Sequence, residues 1–309
     1  MKPITKESQV VGWWSGGVTS AVACKVVIDV YGASQCRIIF IDTGNEDEDT
    51  YRFMKDCHQW YGVEIETITG LGGECNSIQD VWYKYNSLNV AHGAICSSTL
   101  KRDVRLKWEK ENDYEAQAFG FDLSEPNRVV SMAKNYPKAR PIFPLWFFGY
   151  SKKDCLSILK SEGIEPPIVY SYGFNNNNCF KTGCIQGGIG YWQKMKREWP
   201  DKFEAMAKVE HELTDRIGEP VTMLKDQSKE AKAKLVKDRL VFLLPHPDYP
   251  HLKDLSQMKG REPRPIMDCN GFCGLEGFQD NSIDELNLQP DPEHQYQIDL
   301  FESLFRKIT

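Results

Sequence analysis

Val10-Val11-Gly12-Trp13-Trp14-Ser15-Gly16-Gly17-Val18-Thr19-Ser20 runs directly into Ala21-Val22-Ala23-Cys24-Lys25-Val26-Val27. An apolar run, a glycine turn and a second apolar run in that order predict a buried strand, a tight turn and a helix. Gly16 and Gly17 open backbone angles closed to other residues and leave no side chain in the way. A helix start presents unpaired N–H groups and the positive end of its dipole. Ser15, Thr19 and Ser20 add hydroxyls. The turn is therefore suited to an anion, and to a phosphate in particular.

The turn lacks the Lys-Ser/Thr of a P-loop and the third glycine of the dinucleotide fingerprint. Outward from it, Cys36-Arg37-Ile38-Ile39-Phe40-Ile41 reads as a second buried parallel strand, ending in Asp42-Thr43-Gly44 and an acidic run, Glu46–Asp49. Ligands of open α/β sheets lie beyond the carboxyl ends of strands, so Asp42-Thr43-Gly44 is expected beside Ser15–Ser20.

The Ser-Gly-Gly turn resembles the SGGxDS pyrophosphate loop of the ATP pyrophosphatase superfamily. With IDTGNEDEDTYRF it is similar to the phosphoadenosine phosphosulfate (PAPS) reductase family within that superfamily. Cys96-Ser97-Ser98-Thr99-Leu100-Lys101, Phe119-Gly120-Phe121 with Glu125 and Arg128, and Pro141-Ile142-Phe143-Pro144-Leu145-Trp146 resemble later segments of the same family. The resemblance covers about residues 8–172. It implies binding of ATP or a related adenine nucleotide. Trp14, Ser15, Gly16, Gly17, Val18, Thr19, Ser20, Asp42, Thr43, Gly44, Gly120 and Phe121 would contact it, and Lys101 and Arg128 would neutralise its charge. Thr19 stands where the superfamily has an aspartate that often holds Mg²⁺. A hydroxyl is a weaker ligand than a carboxylate, so the ion falls to Asp42 or the Glu46–Asp49 run, or there is no strong site. The charged start of a helix explains the same run without a metal.

Alternating elements predict a doubly wound parallel α/β sheet with helices on both faces over residues 1–174. The expected strands are 10–14, 37–42, 64–69, 115–120 and 140–146. The short Asn175–Asn178 stretch reads as a linker to a mainly helical region, 175–309, with helices at 190–217, 228–238 and 293–306. In that region Cys179 and Cys184 form one glycine-flanked pair, and Cys269 and Cys273 another. Four thiolates suit an iron–sulfur cluster or zinc. Four buried or free thiols are the alternative. Cys24, Cys57 and Cys155 fall inside expected helices and read as core.

The resemblance leaves several chemistries open. In one, the nucleotide is cleaved at its α-phosphate, an acceptor (nucleic acid or protein) is adenylylated, and sulfur from a donor follows. In another, Cys273 attacks a sulfonucleotide and a thioredoxin-like reductant resolves the product. Cys273-Gly274-Leu275 is kept from the reductases, but the flanking Glu and His are not, which favours the first. A third is a catalytically silent nucleotide-binding module associated with nucleic acid. Lys101, Arg102, Arg105 and Lys107 on one expected helix are candidates for pairing with phosphates, or a solvated face. Tyr191, Trp192, Lys194, Lys196, Arg197 and Trp199 mix aromatics with charge, as single-strand binders do, although a core helix with a wet face accounts for them too.

With 38 basic and 44 acidic residues the chain carries a net charge of −6. That excludes a uniformly nucleic-acid-coating surface but not a local basic groove. No stretch reads as a membrane span or signal sequence, and ten scattered cysteines fit a reducing compartment, so a cytoplasmic protein is expected. A homodimer is left open.

Overall fold

The structure, a computed structural model, describes residues 4–5, 7–70, 74–88, 94–177 and 179–264. Cys269, Cys273 and the helix expected at 293–306 lie outside the described residues.

Five strands form one parallel sheet in the order β3-β2-β1-β4-β5: β1 Val10–Trp14, β2 Cys36–Ile41, β3 Ile65–Ile68, β4 Ala116–Phe119 and β5 Pro141–Ile142. The doubly wound α/β architecture read from the sequence is the one observed. Alternate side chains of β1 and β2 serve opposite faces. Val10, Trp14, Ile38 and Phe40 pack beneath α1 (Val18–Tyr31) and α2 (Glu48–Tyr61). Val11, Trp13, Ile39 and Ile41 meet Val104, Trp108 and Met132 on the other side. Both faces are thus covered, which is why these strands read as unbroken apolar runs. Strand order reverses at β1, between β2 and β4, so the crevice for a ligand opens at the carboxyl end of β1.

The remaining helices are α3 (Ile78–Tyr85), α4 (Ile95–Ser97), a π-helical turn (Ser98–Arg102) leading to α5 (Asp103–Glu111), α6 (Pro126–Asn135), α7 (Pro144–Phe148), α8 (Lys152–Ser161), α9 (Ile189–Glu198), α10 (Pro200–Ile217) and α11 (Lys229–Lys232). Prolines account for two departures from expectation. The fifth strand stops at Ile142 because Pro144 begins α7, and the single helix expected over 190–217 is divided at Pro200. Proline offers no N–H to a preceding carbonyl but is pre-set for a first helical turn. The helix expected at 228–238 is one turn of α11 and a short 3₁₀ segment, Val236–Arg239. A small second sheet, absent from the expectation, joins β6 (Leu224–Lys225), β7 (Leu240–Phe242) and β8 (Lys253–Asp254).

One core crosses the boundary drawn at residue 174. Ile78, Trp82, Cys96 and Leu100 pack in the same cluster as Phe180, Trp192, Phe203 and Val241. No helix among the described residues is long and apolar enough to cross a membrane.

Candidate functional site

The turn after β1 is stapled at both ends. Ser20, buried in the first turn of α1, accepts the Ser15 N–H at 3.0 Å and donates to the Gly17 carbonyl at 2.9 Å. The Tyr170 hydroxyl accepts the Val18 N–H at 3.3 Å. Gly16, between them, has φ +81°, and a Cβ there would meet Thr50 Cγ2 at 2.8 Å, so glycine is required. α1 starts with no side-chain cap on Gly17 and no acidic residue in its first turn. Apart from the Val18 N–H, which Tyr170 takes, its start lacks the capping side chain that α2, α3 and α8 each carry.

The turn forms one wall of a cleft of roughly 140 Å³. Trp13, Trp14, Ile41, Phe119 and Phe121 give it an apolar floor. Three cations stand around it: Lys101, Arg128 and Lys152. Each is held by other groups. Lys101 Nζ lies 3.7 Å from Glu46 Oε1. Arg128 pairs with Glu125, and its guanidinium sits 4.1 Å over the Phe121 ring. Lys152 Nζ donates to Asn176 Oδ1 at 2.7 Å and the Asn175 carbonyl at 3.1 Å. An apolar floor with a positive rim and an uncapped helix start suits a ligand with a flat ring at one end and anionic groups at the other.

The structure brings Trp14, Ser15, Gly17, Thr19, Ser20, Lys101, Gly120, Phe121 and Arg128 to this cleft. Gly16 and Val18 shape the turn from behind. Gly120 has a packing reason as well: a Cβ there would lie 2.5 Å from Ser20 Cα. Asp42, Thr43 and Gly44 stand at the end of β2, off the cleft walls. Both Asp42 oxygens are engaged, one by the Gly44 N–H at 2.7 Å and one by the Tyr51 hydroxyl at 2.9 Å.

The acidic run is divided four ways. Glu46 is buried at 2 % exposure; burial pushes its carboxyl up, Lys101 opposes this, and Asp42 reinforces it. Asp47 caps α2, Glu48 is solvated, and Asp49 grips Arg52 at 2.7 Å and the Ile168 N–H at 2.6 Å. Glu46, Asp47 and Asp49 already have protein partners, and among the described residues the run does not converge on one point as the ligands of an ion would. Among the described residues, three potential metal ligands converge only at Asp215, His246 and Asp248, which belong to α10 and the loop after β7.

Sequence reasoning missed Lys152, Tyr170, Asn176 and Asn177 as cleft residues. The Asn175–Asn178 stretch reads as a linker by composition, yet asparagine side chains are also apt to hold neighbouring backbone. Asn177 does so, donating to the Gly16 carbonyl and to Thr50 Oγ1, both at 2.9 Å. Other candidates are placed elsewhere. Arg105 is fully buried, paired with Glu109 and stacked on Tyr136, so it is neither a solvated residue nor a phosphate ligand at the cleft surface. Tyr191 and Trp192 are core, which leaves their rings closed to stacking on bases.

Cys184 is buried and Cys179 half-exposed, joined by a turn through Gly183. Both lie near the Tyr191 hydroxyl, which accepts the Cys184 N–H at 3.1 Å. The flanking glycines have a packing explanation: a Cβ at Gly183 would meet Trp192 at 2.7 Å, and one at Gly187 would meet Tyr191 at 2.2 Å. The described pair supplies two soft ligands on one turn. The other two lie outside the described residues. Cys24, Cys57 and Cys155 are core, as expected, and burial pushes Cys57 and Cys155 up to about 12.

Residues 9–118 match the family model of the phosphoadenosine phosphosulfate reductase domain. The match spans the glycine turn, the acidic run, Lys101 and most of β4, and bears out the resemblance read from the sequence. An uncharacterized protein of Methanocaldococcus jannaschii is 25 % identical over 211 residues, 66 % of this chain and 42 % of that protein. The chain thus spans under half the length of the curated relative it matches. Two solved structures are similar to it. One is the PAPS reductase from Candida auris in a phosphate complex, at 16 % identity over 56 % of this chain and 81 % of that one, with TM-score 0.42. The other is the U34-tRNA thiolase NcsA from Methanococcus maripaludis with its 4Fe–4S cluster, at 14 % identity over 75 % and 80 %, with TM-score 0.41.

Proposed function

From the PAPS reductase-type domain carried by residues 9–118, we propose that the chain binds ATP or a related adenine nucleotide in this cleft and opens it at the α-phosphate. One observation carries the reading: an uncapped helix start and three braced cations surround a single apolar-floored cleft at the strand-order switch. In this reading the base lies on the Trp14–Phe121 floor and the phosphates on Ser15–Ser20. Lys101, Arg128 and Lys152 face the charge that grows on the leaving group. Donors already held in place stabilise such charge without reorganising, which is the chief electrostatic means of catalysis.

The step is a displacement. An acceptor oxygen bonds to the α-phosphorus, the bond from that phosphorus to the bridging oxygen breaks, and pyrophosphate leaves with the electron pair. The acceptor's proton passes to solvent or to a nearby base. Cys179 and Cys184, with Cys269 and Cys273, would hold an iron–sulfur cluster or zinc; a cluster would supply a site for sulfur before its transfer. Calorimetry with ATP tests the binding, and product analysis tests the reaction. AMP plus pyrophosphate supports it. Sulfite from PAPS would support the reductase reading, and binding without either product the silent module.

A further inference from the structure

Two backbone N–H groups of the phosphate loop are held by side chains. That of Ser15 is taken by Ser20 Oγ, and that of Val18 by the Tyr170 hydroxyl. The Gly16–Gly17 peptide lies between these anchors, and neither fixes its plane. What fixes it is Asn177, whose Nδ2 donates to the Gly16 carbonyl at 2.9 Å. The orientation of this amide is decided by chemistry, because a carbonyl oxygen only accepts and so must face the NH₂ end. The peptide is trans, so its C=O and N–H point in opposite directions. Pinning the Gly16 oxygen therefore also sets the Gly17 N–H.

We propose that Asn177 is the positioning residue of the phosphate loop: it holds the Gly16–Gly17 peptide so that the Gly17 N–H faces the bound anion. This rests on the nucleotide reading of the cleft.

Two further observations support it. Asn177 Nδ2 also reaches Thr50 Oγ1 at 2.9 Å, which locks the amide from a second side. Its other end, Oδ1, is buried and finds no donor among the described residues, although Asn177 is only 6 % exposed and lines the cleft. Leaving a buried acceptor unpaired costs about 1–3 kcal/mol. An amide retained at that cost on a cleft wall is retained for its NH₂ end, and a ligand's own donor or a hydrated ion can meet the orphan oxygen.

Asn177 also stands two residues before Cys179. The same segment is tied to the β2–α2 loop by Asn45 Nδ2 donating to Thr182 Oγ1 at 2.7 Å and by the Lys181 N–H donating to the Asn45 carbonyl at 3.3 Å. The phosphate loop is therefore set from outside the family-matched segment, by the stretch that carries the first cysteine pair.

The test is calorimetry on the full chain with two probes, inorganic pyrophosphate and adenosine. Asn177→Leu keeps the size and removes the donor without adding a charge; Thr50→Val, the gentler second variant, removes one of the two acceptors of the amide and keeps the Cγ2 methyl that packs beside Gly16. Asn177→Leu should weaken pyrophosphate about tenfold, the scale of one hydrogen bond plus a misdirected donor. Thr50→Val should weaken it by a smaller factor, and adenosine should stay within about twofold in both, since its binding does not use the Gly17 N–H. A folding defect would lower both probes together, and that result overturns the inference. Wild-type pyrophosphate affinity in both variants overturns it too, while leaving the nucleotide reading intact. A wild-type protein that binds neither probe overturns the nucleotide reading and this inference with it.

Discussion

Replacing Gly120 with alanine puts a Cβ 2.5 Å from Ser20 Cα, 2.7 Å from Ser20 N and 3.0 Å from the Thr19 carbonyl carbon. All three are backbone atoms, so no side chain can swing aside. Ordinary contact begins near 3.4 Å, so the end of β4 and the first turn of α1 must separate by about 0.9 Å. Forced overpacking of this kind costs about 1–3 kcal/mol. In a chain of 309 residues that lowers Tm by roughly 2–5 °C. The displaced residue is the one whose hydroxyl staples Ser15, so nucleotide affinity should fall with the stability. Gly17→Ala is the contrast. Gly17 has φ −93°, and its nearest neighbour would be the Tyr170 hydroxyl at 3.5 Å, an ordinary contact. That variant should keep its Tm and lose ATP affinity, because the new methyl enters the cleft. Differential scanning calorimetry and ATP titration of both variants provide the assay. Gly120→Ala with unchanged Tm and affinity would refute the close-approach argument, and Gly17→Ala binding like wild type would refute the placement of the anion.

Three further outcomes are expected. Glu210 is fully buried between the N–H groups of Met223 and Leu243, and burial pushes its carboxyl up to about 8 from 4.5. Its pKa is raised on folding, so its contribution is fully present below pH 4.5 and lost as pH rises through about 8. The loss is about 4–5 kcal/mol at most; urea melts at pH 5, 7 and 9 should show the decline, and Glu210→Gln should flatten it. Arg128→Lys keeps the charge but loses the fork and the face held over Phe121, so ATP affinity should drop about tenfold in a filter-binding or calorimetric assay. Anaerobic Cys179→Ser and Cys184→Ser protein should contain less iron or zinc than wild type by elemental analysis; wild-type protein with neither metal would remove the cluster.

The sheet was legible because β1 and β2 are covered on both faces and so carry unbroken apolar residues. The tight turn after β1 was legible because Gly16 has a conformation that few other residues adopt. The rest of the cleft was harder to read, since Lys152, Tyr170 and Asn177 are ordinary polar residues brought in by the fold from more than 130 positions away. Composition marked Asn175–Asn178 as a linker, and no local pattern says that one of its amides reaches Gly16. The acidic run misled for a related reason. Four adjacent side chains look alike in sequence, but the start of α2 turns Glu46 inward and Asp47 onto its own backbone. Two prolines carried a signal that the periodicity masked: Pro144 and Pro200 begin the helices that shorten β5 and divide 190–217.

The cluster that joins Ile78, Trp82 and Leu100 to Trp192, Phe203 and Val241 means that homology and foldability end at different places along this chain. A fragment cut to the family-matched residues 9–118 would keep the glycine turn but strip α8 from α1 and β5 from β4. It would also bare the apolar side of α3 and the turn bearing Lys101. Such a fragment would present a raw sheet edge and a greasy flank to its own copies, a recipe for inclusion bodies rather than a minimal enzyme. The stretch after residue 174 is thus an internal scaffold for the half that precedes it, and grafting this α/β module onto another protein would require carrying that scaffold along.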